Sequence, residues 1–134
     1  MGKWLAVRLL LDTHAFLWWL AGSPRLSGSA QRAIGDDRNT PLVSAASAWE
    51  IATKHRLGKL PQADAVAFDV RGCIVRQGFE ELAIDVDDAE RAGRLPGPHR
   101  DPFDRVLIAQ AQARGLSIVS TDRVFDRYGV QRIW

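Results

Sequence analysis

The stretch that decides the fold is Leu9-Leu10-Leu11-Asp12-Thr13-His14. An apolar run beginning near Ala6 ends abruptly in a carboxylate, and a helix-like pattern of Ala15, Phe16, Leu17 and Leu20 follows at once. A continuous apolar run closed by turn-forming chemistry reads as a central strand of a parallel sheet, buried on both faces. Asp12 then stands at the carboxyl end of a core strand, the edge at which open α/β sheets bind ligands. Its other reading is plainer, because aspartate is a favoured helix N-cap. The rest of the chain has to decide between the two.

Gly22-Ser23-Pro24 stops a first helix over 13–21, and Ser27 caps a second that reaches Gly35. A polar loop over 36–41 leads into a short buried strand, Leu42-Val43-Ser44. A long helix from about Ala46 to Leu57 is closed by Gly58, and a further helix spans Asp64 to Gln77 with Gly72 as its weak point. Leu82-Ala83-Ile84 reads as a strand and 87–95 as a short helix. After the break at Pro96-Gly97-Pro98, Asp101-Pro102 opens a helix that runs to Gly115. A strand over 116–120, a helical turn near Val124-Phe125 and a last strand over 130–134 complete the chain. Strands alternating with helices predict a three-layer α/β/α fold around a central, mainly parallel sheet.

The composition fits one domain over 1–134 with a core of its own. Hydrophobic residues make up 46% and charged residues 25%, a soluble globular profile. No apolar stretch approaches the roughly 20 residues that a membrane helix needs, and the apolar part of 1–8 is too short for a signal peptide. Cys73 is the single cysteine, so an internal disulfide and a cysteine-based zinc site are both excluded, and a reducing cytoplasm is the expected compartment. His14, His55 and His99 show no metal-ligand spacing. The net charge of +2 is small, but the bases are mostly arginine and the acids mostly aspartate. Arginine suits bidentate phosphate recognition, and aspartate offers hard oxygen ligands.

Asp12 and Asp122 each follow a strand, so parallel strands bring both to one edge of the sheet. Asp104 lies in the first turn of the helix begun by Asp101, in line with Leu107, Ile108 and Ala111 on an inward stripe. A carboxylate on a buried face needs a partner, and a metal ion is one. Asp101 reads first as an N-cap. Glu50 is open between a site role and an i,i+4 ion pair with Lys54. Carboxylates crowded within about 6 Å raise one another's pKa and call for a cation. With oxygen ligands only, that cation is Mg²⁺ or Mn²⁺, the ion of metal-assisted phosphodiester hydrolysis. Ser120 and Thr121 are placed to hydrogen-bond the acids from behind, alongside their ordinary roles at a strand end and a helix cap.

The segments 9–18, 44–54 with 57–60, 99–111 and 120–122 with Phe125 and 128–130 resemble, in order and spacing, a PIN domain. The resemblance is to the VapC-like toxin ribonucleases of toxin–antitoxin modules, and it covers almost the whole chain. It implies Mg²⁺- or Mn²⁺-dependent cleavage of RNA by Asp12, Glu50, Asp104 and Asp122, with Thr13, Ser120, Thr121 and Asp101 behind them. It moves Glu50 from the ion-pair reading to a site role. It also implies a cognate antitoxin as partner, and a homodimer is expected. Lys54, Arg56, Arg100, Arg105 and Arg123 are candidates for the RNA backbone, while the Lys54–Lys59 cluster equally suits a helix C-terminus.

Other functions on the same edge fit less well. A phospho-accepting receiver needs a lysine after a late strand, and the lysines are Lys3, Lys54 and Lys59. A dehalogenase-type phosphatase needs an aspartate two residues after the first, where this chain has His14. The rival from another class is a non-catalytic PIN-like domain that binds RNA or protein, against which the retention of all four acids argues. On the first helix, Trp18 is expected opposite the Phe16/Leu17/Leu20 stripe, exposed and available to a partner chain.

Overall fold

The computed structural model describes residues 7–98 and 101–134. Ala6, His99 and Arg100 lie outside them. Leu9, Leu10 and Leu11 are all buried because β1 (Arg8–Leu11) has parallel neighbours on both sides and helices on both faces. One neighbour is β2 (Thr40–Ser44), with Leu10 opposite Leu42. The other is formed by residues 117–119, with Leu10 opposite Ile118. Successive side chains of β1 point to opposite faces. Leu9 and Leu11 join Phe16, Ile34, Val43 and Val119 in one core, whereas Leu10 joins Leu42, Leu107, Ile108 and Phe125 in the other. This is the expected three-layer arrangement.

The helices follow their caps. Asp12 caps α1 (Thr13–Ala21), Ser27 caps α2 (Gly28–Gly35) and Ser44 caps α3 (Ala45–Arg56). The helix expected over 64–77 is two: α4 (Asp64–Ala67) and α5 (Val70–Arg76). The break is not at Gly72 but at Phe68-Asp69, where the Asp69 side chain accepts the Gly72 N–H at 3.0 Å as the cap of α5. A Cβ at Gly72 would collide with that carboxylate, so the glycine permits the cap. The strand expected at 82–84 is displaced to β3 (Glu80–Leu82), paired to β2 through Val43 and Glu81. β3 is an edge strand, so exposed glutamates serve there and apolar content is no guide to its register.

Next come α6 (Val86–Arg94) and α7 (Pro102–Arg114), the latter capped by Asp101. The last strands are β4 (Ser117–Val119) and β5 (Arg132–Ile133), the second shorter than the 130–134 expected. All pairings are parallel, in the order β3-β2-β1-β4-β5. The chain moves outward from β1 to β3, then returns to β4 and moves out the other way. The order therefore reverses between β1 and β4, which opens a crevice at their carboxyl ends.

A buried charge cluster fixes α6 against α7. Arg114 donates through both terminal nitrogens to Asp88, at 2.8 and 3.0 Å, and Gln110 Nε2 adds a bond at 3.3 Å. Burial works against the Asp88 carboxylate, but these donors and the Asp85 backbone N–H hold its pKa below the ordinary value. Arg105 closes the other end, donating to the carbonyls of Ala92 at 2.9 Å and Leu95 at 2.6 Å. Its guanidinium, a candidate for the RNA backbone, is therefore engaged at the end of α6. Because the folded pKa of Asp88 is depressed, its stabilisation is present above the unfolded value near 3.9 and is lost as pH falls through the folded pKa. Asp88→Asn is expected to cost about 2–3 kcal/mol in urea unfolding at pH 7. The gap to wild type closes as the Asp88 carboxyl protonates.

Candidate active site

Asp12 turns the chain from β1 into α1 in a single step. Its Oδ1 accepts the Ala15 N–H at 2.8 Å, so the cap role is real. Its backbone N–H donates to Val119 O at 3.1 Å, which ties it to β4 across the crevice. The side chain is buried, and burial pushes its pKa up. The Ser120 hydroxyl, the Ala15 N–H and the field of His14 offset part of that rise, while the Glu50 carboxylate adds to it. Asp12 is thus a cap and a desolvated acid at once.

Glu50 is also buried, although it lies between exposed Trp49 and core Ile51 on α3. Its Oε1 accepts the Thr13 hydroxyl at 2.6 Å and its Oε2 takes the Lys54 ammonium at 2.5 Å. Ser47 Oγ lies 3.0 Å from the Thr13 hydroxyl oxygen. The i,i+4 ion pair forms, and the acid also lies within the field of Asp12. Partial burial works against the charge of Lys54, but the Glu50 hydrogen bond and the fields of Glu50, Asp101 and Asp104 raise its pKa. Lys54, expected on the RNA backbone, stands here as an internal counter-ion of the acids.

Asp104 is half-buried in the first turn of α7. Asp101 accepts the N–H groups of Phe103 at 2.9 Å and Asp104 at 3.2 Å, as an N-cap should. Asp122 is exposed and accepts the Val124 N–H at 3.0 Å. Its own N–H donates to Ser120 Oγ at 2.9 Å, so Ser120 links Asp122 to Asp12. Thr121 is exposed and, among the described residues, makes no hydrogen bond to an acid. Ser47 escaped the sequence reading, yet it lies one turn before Glu50 on the same helix face, a usable signal.

The expected crowding of four carboxylates is replaced by a looser arrangement. Among the described residues, no three His, Cys, Asp or Glu side chains form a group able to hold an ion. Asp12 and Glu50 sense each other, and Glu50, Asp101 and Asp104 act on one ammonium. Like charges repel, so each carboxylate turns to the nearest N–H, O–H or ammonium. The donor set still fits a hard cation. Mg²⁺ keeps several waters and takes only one or two carboxylates directly, and Lys54 shows that this pocket of negative charge accepts a cation. Arg56 and Arg123 are exposed, without ion pairs among the described residues.

Trp18 is half-buried rather than free. Its ring lies 5.6 Å from His14 and 5.7 Å from Trp134, so the chain's own end covers part of it. Its remaining surface lines a groove of about 550 Å³ with Leu17, Leu20, Leu60 and Val66.

The PIN domain family profile matches residues 9–131, and the chain belongs to that family. It is 30% identical over 116 residues to Ribonuclease VapC22 of Mycobacterium tuberculosis, covering 86% of this chain and 87% of that protein. It is 48% identical over 66 residues to Ribonuclease VapC16 of the same organism; that match spans about half of each, 46% of this chain and 47% of the relative. In fold it is similar to VapBC2 from Rickettsia felis, solved bound to a DNA fragment from their promoter. There the TM-score is 0.66 at 14% identity, over 96% of this chain and 100% of that one.

The raised pKa of Asp12 has a consequence for stability. The folded value lies above the unfolded one, so the acid's contribution is complete below the unfolded pKa and is lost as pH rises through the folded pKa. In chelator at neutral pH, Asp12→Asn is expected to melt above wild type. Below about pH 3.9, the ordinary carboxylate value, the two should melt together.

Proposed function

We propose that this chain, one PIN-like unit over 1–134, is a metal-dependent endoribonuclease acting in the cytoplasm as the toxin of a toxin–antitoxin pair. The observation that carries the reading is the buried Asp12 carboxylate at the β1/β4 switch point, facing Glu50, with its pKa raised by burial. The ribonuclease names of the relatives support the substrate class. Asp12, Glu50, Asp104 and Asp122 would hold Mg²⁺ or Mn²⁺. When bound, the ion supplies a Lewis acid for the phosphodiester oxygens and lowers the pKa of the attacking water.

The chain's own groups supply the rest. Thr13 holds Glu50 by its Oε1, and Ser120 holds Asp12, so both carboxylates keep their aim when the ammonium moves. Lys54 sits on a flexible stem, which lets it leave Glu50 and meet a phosphate oxygen. Arg56 and Arg123 offer further backbone contacts in this reading. Asp101 serves by fixing the first turn of α7 and with it Asp104. The antitoxin partner is assigned to the groove beside Trp18, and a homodimer is the expected free form.

Asp104→Asn is expected to leave the fold intact and reduce Mg²⁺-dependent cleavage of total RNA at least a hundredfold. Asp101→Asn should stay within a few fold of wild type, because asparagine also caps helices. Full cleavage by the Asp104 variant sinks the reading, and loss in the Asp101 variant alone reassigns the third acid. Mn²⁺ should raise the melting temperature of wild type more than that of either acid variant at positions 12 and 104. Trp18→Ala is expected to weaken association with the antitoxin by about 2 kcal/mol in calorimetric titration, with Mn²⁺ affinity unchanged.

A further inference from the structure

Each of two acids in the site is preceded in sequence by an aromatic residue. Trp49 comes before Glu50 on α3, and Phe103 comes before Asp104 on α7. Successive helical residues are about 100° apart, so the aromatics cannot point where the acids point. They meet each other instead. Their ring centroids lie 4.7 Å apart at 74°, with the edge of one ring against the face of the other. The acids and the aromatics thus bridge the same two helices, the acids through Lys54 and the aromatics through ring contact.

Trp49 is 55% exposed, which is unusual for a residue adjoining a buried acid. Phe103 is half-buried and acts as its buttress. On α3 the stripe that carries Trp49 continues through Ala52, Thr53 and Arg56, at i+3, i+4 and i+7. Ala52 is small, Thr53 is polar, and Arg56 is an exposed cation without an ion pair among the described residues. At 1.5 Å per residue, Arg56 lies about 10 Å along the helix from Trp49.

We propose that Trp49, braced by Phe103, is a stacking platform for an unpaired base of single-stranded RNA next to the scissile phosphate, with Arg56 holding a neighbouring backbone phosphate. The inference rests on the ribonuclease reading above. Single-stranded RNA is recognised by splayed bases stacked on aromatic rings and by cations along the backbone. A rigid ring beside the acids fits that chemistry. A stable contact between copies buries roughly 800 Å² on each partner, far more than this stripe of one indole, two methyl groups, a hydroxyl and a guanidinium without an ion pair among the described residues offers by itself. The platform grips a base outside the reacting phosphodiester, equally in the ground state and the transition state, so its effect falls on binding rather than on the chemical step.

The test uses the cleavage-deficient Asp104→Asn protein and a short mixed-sequence single-stranded RNA carrying 2-aminopurine. Adding Trp49→Ala should weaken binding about tenfold or more and abolish the quenching of 2-aminopurine, whereas Trp49→Phe should keep most of both. In the otherwise wild-type chain, Trp49→Ala should raise KM with kcat little changed, and Mn²⁺ affinity should not move. Unchanged RNA affinity and unchanged quenching overturn the platform while leaving the ribonuclease intact. A fall in molecular mass by light scattering in Trp49→Ala, with wild-type RNA affinity per chain, assigns the ring to contact between copies and also overturns it. If wild type neither binds nor cleaves RNA in Mn²⁺, the ribonuclease reading itself fails and the platform fails with it.

Discussion

Two carboxylates, Asp12 and Glu50, are buried within reach of each other's field at the carboxyl edge of a parallel sheet. Burying a charge is costly unless it is paired or hydrogen-bonded, and a second like charge makes it costlier. Much of the surrounding structure is an answer to that problem. The Ala15 N–H and the Ser120 hydroxyl serve Asp12, while the Thr13 hydroxyl and the Lys54 ammonium serve Glu50. These groups reduce the strain without removing it, since the Asp12 pKa remains raised. A site left in that condition favours cations.

The topology explains why the acids meet. Asp12 follows the central strand and Ser120 its neighbour, at the point where the strand order reverses. α3 brings Glu50 from the far side of β2, contributing Ala46 to one core and Ile51 to the other. α7 carries Asp104, and its placement depends on α6 through the Asp88–Arg114 pair and the Arg105 contacts. The two clamps at α6 therefore support the site from outside it.

The carboxyl edge joins three kinds of surface within a small span. Acids occupy the crevice, a ring pair from α3 and α7 flanks one side, and the His14–Trp18–Trp134 group flanks the other. A polyanionic substrate needs the first to be neutralised and the second to hold a base. An apolar partner segment suits the groove beside the third.

The central features were legible in the sequence because near neighbours determine them. The Leu9–Leu11 run needs burial on both faces, Asp12 and Asp101 sit where helices need caps, and Asp-Pro opens α7. Asp104 on the inward stripe and Ser120 behind the acids followed from strand and helix periodicity. The edge strand β3 did not, because its side chains are largely exposed and carry no hydrophobic pattern to set the register. The division of 64–77 was missed because the Asp69 cap and Gly72 together end one helix and start another, and Gly72 alone looked like the fault. Tertiary structure alone decided the long-range partners. Arg105 turned to α6, and Arg114 reached back to Asp88. Trp18 met Trp134 across most of the chain's length, and Trp49 met Phe103. Those choices depend on which distant groups packing brings within a few ångströms, where both hydrogen bonds and ring contacts act, and no local pattern encodes that distance.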